Sequence, residues 1–210
     1  MIKILAHRGF WREKIEKNLE IAFMRSWENG FGLETDVRDF NQKLVISHDM
    51  ASSESMDLEL FLEKYLQFGN QTPLALNIKA DGLATLLKEN LDKYKIDNYF
   101  VFDMSVPDAK AYLANNLELY SRQSELEKEP ILYTESKGIW LDAFDGIWYS
   151  NELIQTHLLE HKKIAIVSPE LHGREHLQFW NWLKFHNLHQ EGNISLCTDF
   201  PIDAKTFFYE

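Results

Sequence analysis

The stretch "IKILAHRG", Ile2 to Gly9, poses the first question about this 210-residue chain. An apolar run broken only by Lys3 reads as a buried strand, yet it ends in His7 and Arg8, two side chains that are costly to bury, and then in the freely turning Gly9. Seven further runs of strand character follow: "GLETDV" (32–37), "LALNIK" (74–79), "YFVFD" (99–103), "LELYS" (117–121), "DGIWYS" (145–150), "KIAIVS" (163–168) and "ISLCTD" (194–199). Helix-like stretches lie between them. In "NELIQTHLLEHKK" (151–163), Leu153, Ile154, His157, Leu158 and His161 recur at helical spacing behind Asn151, a suitable N-cap. "NLEIAFMRSWENG" (18–30) ends on Gly30, a suitable C-terminal stop, and Pro201 suits the first turn of a last helix.

Strands alternating with helices predict an α/β protein with a parallel sheet. Eight such repeats predict a compact (β/α)8 TIM barrel forming a single domain over residues 1–210. The length lies near the lower limit of about 200 residues for that fold, so its loops must be short. "KLVISHD" (43–49) reads as an extra short strand after the second. An open doubly wound sheet is the alternative.

The net charge of -11 argues against nucleic acid and against an anionic membrane surface as partners, because both need clustered Lys and Arg. A single cysteine, Cys197, rules out an internal disulfide and suits a reducing compartment. No apolar stretch follows Lys3 as in a secretory leader, and none approaches the roughly 20 residues that span a bilayer. These features predict a cytoplasmic protein without stable membrane insertion; they leave its oligomeric state open.

In a (β/α)8 fold the working side chains sit at the C-terminal ends of the strands, which gives His7-Arg8-Gly9 a purpose. Strand alternation puts Glu34 and Asp36 on one side, where two confined carboxylates repel unless a cation intervenes, and oxygen-only donors suit Mg²⁺ or Ca²⁺. Asn77 and Lys79 repeat that spacing on the third strand. His48-Asp49 closes the extra strand. Two histidines, two carboxylates, an arginine and a lysine together meet the needs of phosphodiester cleavage: cationic groups for the phosphorane charge, and two imidazoles in opposite protonation states for general acid–base work.

"AHRG", "EKN", "LETDV", "ISHD", "LALNIK" and "CTDFP" follow one another in an order that resembles the glycerophosphodiester phosphodiesterases and the wider phosphatidylinositol-phospholipase-C-like superfamily. The resemblance implies a (β/α)8 barrel acting on a small polyol- or sugar-linked phosphodiester with a divalent metal. Carried over, His7 and His48 are the acid–base pair, Arg8 and Lys79 contact phosphate, and Glu34, Asp36 and Asn77 hold the Mg²⁺ or Ca²⁺. Asn18 matches the asparagine of the family's Glu-Asn-Thr stretch. The chain departs from the pattern in two places. Asn77 stands where the family carries a glutamate, and only Met50–Pro73 separates Asp49 from the third strand, where glycerol-diester enzymes carry a long insertion. The alternatives are a phosphodiester lyase that releases a cyclic phosphate and an inactive phosphate-binding barrel.

Arg122 and Glu125 after the fifth strand, and Glu170 and His172 after the seventh, are further candidates near the mouth. Trp140 and Asp142 are expected just before the sixth strand. The aromatic "HLQFWNWLKF" (176–185) is expected in the core rather than on a membrane. His157, His161, His176, His186 and His189 fall in predicted helices and are expected to bind no metal.

Overall fold

The first apolar run forms β1 (Lys3–His7), with Ile4, Leu5 and Ala6 buried. The computed structural model describes all 210 residues. They fold as two compact units, one of Ala6–Leu119 and the other of Met1–Leu5 with Tyr120–Glu210.

In the Ala6–Leu119 unit, a 3-10 turn (Lys14–Glu16) and α1 (Glu20–Glu28) lead into β2 (Gly32–Phe40), the longest strand. β2 turns back into the predicted extra strand, β3 (Lys43–Ile46), which pairs with it antiparallel, and β3 pairs in turn with the short β4 (Met56–Asp57). There follow α2 (Leu58–Phe68), β5 (Leu74–Ile78), α3 (Ala84–Lys93), β6 (Tyr99–Phe102) and α4 (Val106–Ala114). β2, β5 and β6 run parallel, in a register that sets Asp36 directly beside Asn77. The helices cover the sheet with aromatics: Phe23 of α1 meets Phe61 of α2 edge-on at 5.0 Å, and Trp27 meets Phe61 at 5.9 Å. Gly9 has a left-handed φ of 89°, and a side chain there would come within 2.7 Å of the Ala22 Cβ, so both conformation and space demand glycine.

In the other unit β7 (Tyr120–Gln123), β8 (Gly138–Leu141), β9 (Lys163–Val167) and β10 (Ile194–Thr198) pair in parallel. α5 (Asn151–Leu159), α6 (Leu177–Phe185) and α7 (Pro201–Tyr209) pack beside them. Trp180, Leu183 and Phe179 of α6 are buried, as expected of a core helix, and Trp180 lies 5.6 Å from Phe208. Leu177 is exposed. No helix is long and apolar enough to cross a membrane.

The alternation of strand and helix follows the sequence reading, with four differences. "DGIWYS" is not a strand: the sixth repeat uses Gly138–Leu141, and residues 145–150 form a loop in which the Trp148 indole donates to the Asp142 carbonyl at 2.8 Å and Tyr149 is buried. A side chain at Gly138 would lie 2.5 Å from the Lys163 carbonyl, so this glycine permits close strand pairing, which an apolar-pattern reading misses. "LELYS" overlaps a strand that starts later, at Tyr120, since Leu119 makes only an isolated bridge with Val101. No helix joins β7 to β8; the buried Lys162 ammonium holds that loop by donating to the Tyr133 and Ser136 carbonyls, the latter at 2.7 Å. The N-cap of α5 is Ser150, one residue before the expected Asn151.

Candidate active site

The residues read as the chemical centre all lie in the Ala6–Leu119 unit: His7 ends β1 and Arg8 follows it, Glu34 and Asp36 lie within β2, His48 follows β3, and Asn77 and Lys79 lie in and just past β5. Glu34 and Asp36 share one side of β2, and both are almost completely buried. Asp36 is the hub. Its Oδ2 lies 3.1 Å from Arg8 Nε and accepts a 2.7 Å hydrogen bond from the Asn18 amide; its Oδ1 lies 3.3 Å from Lys79 Nζ. Two cations and an amide donor therefore surround one carboxylate.

The backbone is bent to reach that arrangement. Arg8 and Asn18 are both left-handed, with φ of 55° and 61°, which arginine rarely adopts. Arg8 N donates to the Glu34 carbonyl at 2.9 Å and faces the Glu34 carboxylate at 3.1 Å, while Asn18 N donates to the Arg8 carbonyl at 2.9 Å. The Thr35 hydroxyl donates to the Asn18 side-chain carbonyl at 2.8 Å, which fixes its amide toward Asp36. Strain of this kind persists where surrounding contacts over-determine it.

Glu34 is pushed up to about 7, chiefly by burial and then by the negative charge of Asp36; His7, Arg8 and Lys79 pull the other way. The nearest His7 nitrogen is 4.0 Å from its carboxylate. His48 lies at the end of β3, its Nδ1 2.9 Å from Asp49 Oδ1, and Arg38 donates to its carbonyl at 3.2 Å. A cavity of about 380 Å³ opens beside these groups, lined by Arg8, Asn18, His48 and Asp49 together with Lys14 and Lys17. The two lysines escaped the sequence reading; the signal was their i, i+3 spacing in "EKIEK", just ahead of Asn18.

No three His, Cys, Asp or Glu side chains come together as a metal site. The donor set read from the sequence has an amide as its third member. On neighbouring strand positions, Asn77 Oδ1 is buried without a hydrogen bond and Asp36 Oδ1 is buried with the Lys79 ammonium 3.3 Å away as its ion-pair partner. Two such oxygens beside Glu34 fit a hard cation by donor chemistry.

The remaining candidates lie in the other unit and are tied to local partners. Arg122 pairs with Glu127. Glu125 accepts from Asp145 N at 2.6 Å. Glu170 accepts from the Ser168 and Thr198 hydroxyls and from Asp199 N, bracing the ends of β9 and β10. His172 Nε2 lies 2.7 Å from Asp142 Oδ1, which follows the sixth repeat's strand instead of preceding it. His157 is held between the Gln123 carbonyl oxygen and the Tyr133 hydroxyl, each at 2.8 Å.

Neither protein-family models nor curated protein sequences match the chain. Solved structures do. A crystal structure from Agrobacterium tumefaciens titled glycerophosphodiester phosphodiesterase superposes with a TM-score of 0.76 at 15% identity, covering all of both chains. The chain has the glycerophosphodiester phosphodiesterase fold. A protein from Galdieria sulphuraria, provisionally given the same name, reaches 0.80 at 15% identity over 100% of this chain and 98% of its own. A glycerophosphoryl diester phosphodiesterase from Parabacteroides distasonis reaches 0.70 at 13% identity, covering 100% of this chain and 86% of that one. At these identities the likeness is one of fold, and it agrees with the α/β class read from the alternation.

Proposed function

We infer that the protein is a metal-dependent phosphodiesterase, hydrolysing a small polyol- or sugar-linked phosphodiester of glycerophosphodiester type in the cytoplasm. The observation that carries this reading is the buried Asp36 holding Arg8 and Lys79 at 3.1 and 3.3 Å beside a cavity that Arg8 and His48 line. Cations fixed by a buried carboxylate are preorganised to meet a phosphoryl group, and need little rearrangement as charge develops. His7 and His48 act as the acid–base pair. One imidazole takes a proton from water as its oxygen bonds to phosphorus. The other gives a proton to the departing alkoxide as the ester P–O bond breaks, so the products are a phosphomonoester and an alcohol. Asp49 orients His48 through the 2.9 Å contact at Nδ1. Glu34, Asp36 and Asn77 would hold Mg²⁺ or Ca²⁺, which when bound supplies further positive charge to the phosphoryl oxygens.

Phosphorus NMR of the chain incubated with glycerophosphodiesters tests the reading. A phosphomonoester signal is expected. A cyclic phosphate would make the protein a lyase, and unchanged diester with every metal tried would overturn the enzymatic reading.

A further inference from the structure

A second cavity, of about 360 Å³, lies wholly within the Tyr120–Glu210 unit and has no part in the phosphodiester chemistry above. Its apolar surface is built by Phe179 and Trp182, one turn apart on α6, whose ring centroids are 5.8 Å apart with planes only 16° from parallel. Ile147 and Pro169 extend that platform. The remaining lining groups are polar: Arg174, Glu175 and Gln178. Two of them are held in place. Arg174 Nη2 donates to the Ala143 carbonyl. The Glu175 carboxylate accepts from Leu177 N at 2.6 Å and Gln178 N at 3.2 Å, capping α6. Gln178 is exposed on the first turn of the helix.

The volume suits a small molecule, and the lining narrows its class. A purely apolar or aromatic ligand would strip water from Arg174 and Gln178 without replacing the lost hydrogen bonds, at a cost comparable to what it gained. An anion would meet Glu175, and a cation would meet Arg174. A neutral ring with an apolar C–H face and a rim of hydroxyls satisfies both halves: the face lies on the half-buried Trp182 indole, which the buried Phe179 ring backs, and the hydroxyls donate to the carboxylate and accept from the guanidinium and amide. The geometry points to a carbohydrate-binding pocket, taking a neutral monosaccharide or cyclic polyol between the α6 platform and Arg174. This inference does not rest on phosphodiesterase activity.

Saturation-transfer NMR and calorimetry on the full chain, with glucose and myo-inositol as probes and benzoate as the aromatic control, decide it. Saturable binding of at least one of the two polyols is expected. Gln178→Ala and Trp182→Ala should each weaken it about tenfold, the scale of one or two lost hydrogen bonds or an equivalent stacking contact. Because Gln178 is exposed, its variant keeps the fold and decides the matter alone if Trp182→Ala misfolds. Absence of saturable binding by both polyols, tighter binding of benzoate, or polyol binding untouched by Gln178→Ala would overturn the assignment.

Discussion

Asp36 and Lys79 form an ion pair at 3.3 Å in which the carboxylate is fully buried, and Arg8 approaches the same carboxylate at 3.1 Å. Removing one partner of such a cluster leaves buried charge uncompensated. Asp36→Asn is therefore expected to cost about 3–5 kcal/mol of folding stability, measured by urea denaturation at neutral pH. A loss under about 1 kcal/mol, the scale of an exposed pair, would mean that Arg8 and Lys79 are neutralised by solvent and that the hub is loose.

His7→Ala and His48→Ala should each slow diester turnover by about 10²-fold or more, the usual scale for an acid–base group, with far-UV circular dichroism unchanged. The double variant should lose much less than the product of the two, because both imidazoles serve one transition state. Near-normal turnover of a substrate with a poor leaving group by either variant would remove that histidine from the pair.

This core of the site was legible because strand chemistry is local. Polar side chains at alternate positions of "GLETDV", or at the end of "IKILAH", conflict with burial unless they converge on something, and the structure does bring Glu34, Asp36, Arg8 and Lys79 together. What the chain's alternation could not show was the close pairing at Gly138. A glycine carries no apolar signal, so the more aromatic "DGIWYS" reads as the better strand, which puts Asp142 on the wrong side of it. Lys14 and Lys17 were also hidden, since a charged turn normally reads as solvated surface; only the return of Asn18 to Asp36 carries that turn to the cavity.

Asn77 supplies a neutral oxygen beside Asp36. Hard cations bind less tightly as ligand charge falls, so Asn77→Glu should tighten Mg²⁺ or Ca²⁺ binding in calorimetry. Unchanged or weaker binding would take Asn77 out of the donor set.

His157 is buried between Gln123 and Tyr133, and desolvation lowers its pKa below the ordinary value of 6.5. The unfolded chain then takes up a proton at higher pH than the folded one. The stability from keeping this imidazole neutral is full above about pH 6.5, declines as pH falls toward the lowered folded value, and stays flat below it. Urea midpoints at pH 8 and pH 5 should therefore differ less for His157→Gln than for the parent chain; an identical difference would show that other groups set the acid sensitivity.

The central claim is that buried carboxylates, two fixed cations and two histidines make a metal-assisted phosphodiesterase. Its most direct test is the rate of hydrolysis of bis(p-nitrophenyl) phosphate by the chain as purified, after EDTA, and after Mg²⁺ or Ca²⁺ is restored. The account predicts turnover that falls in chelator and recovers with one of the two ions. Full activity in EDTA, or no turnover under any of the three conditions, would contradict it.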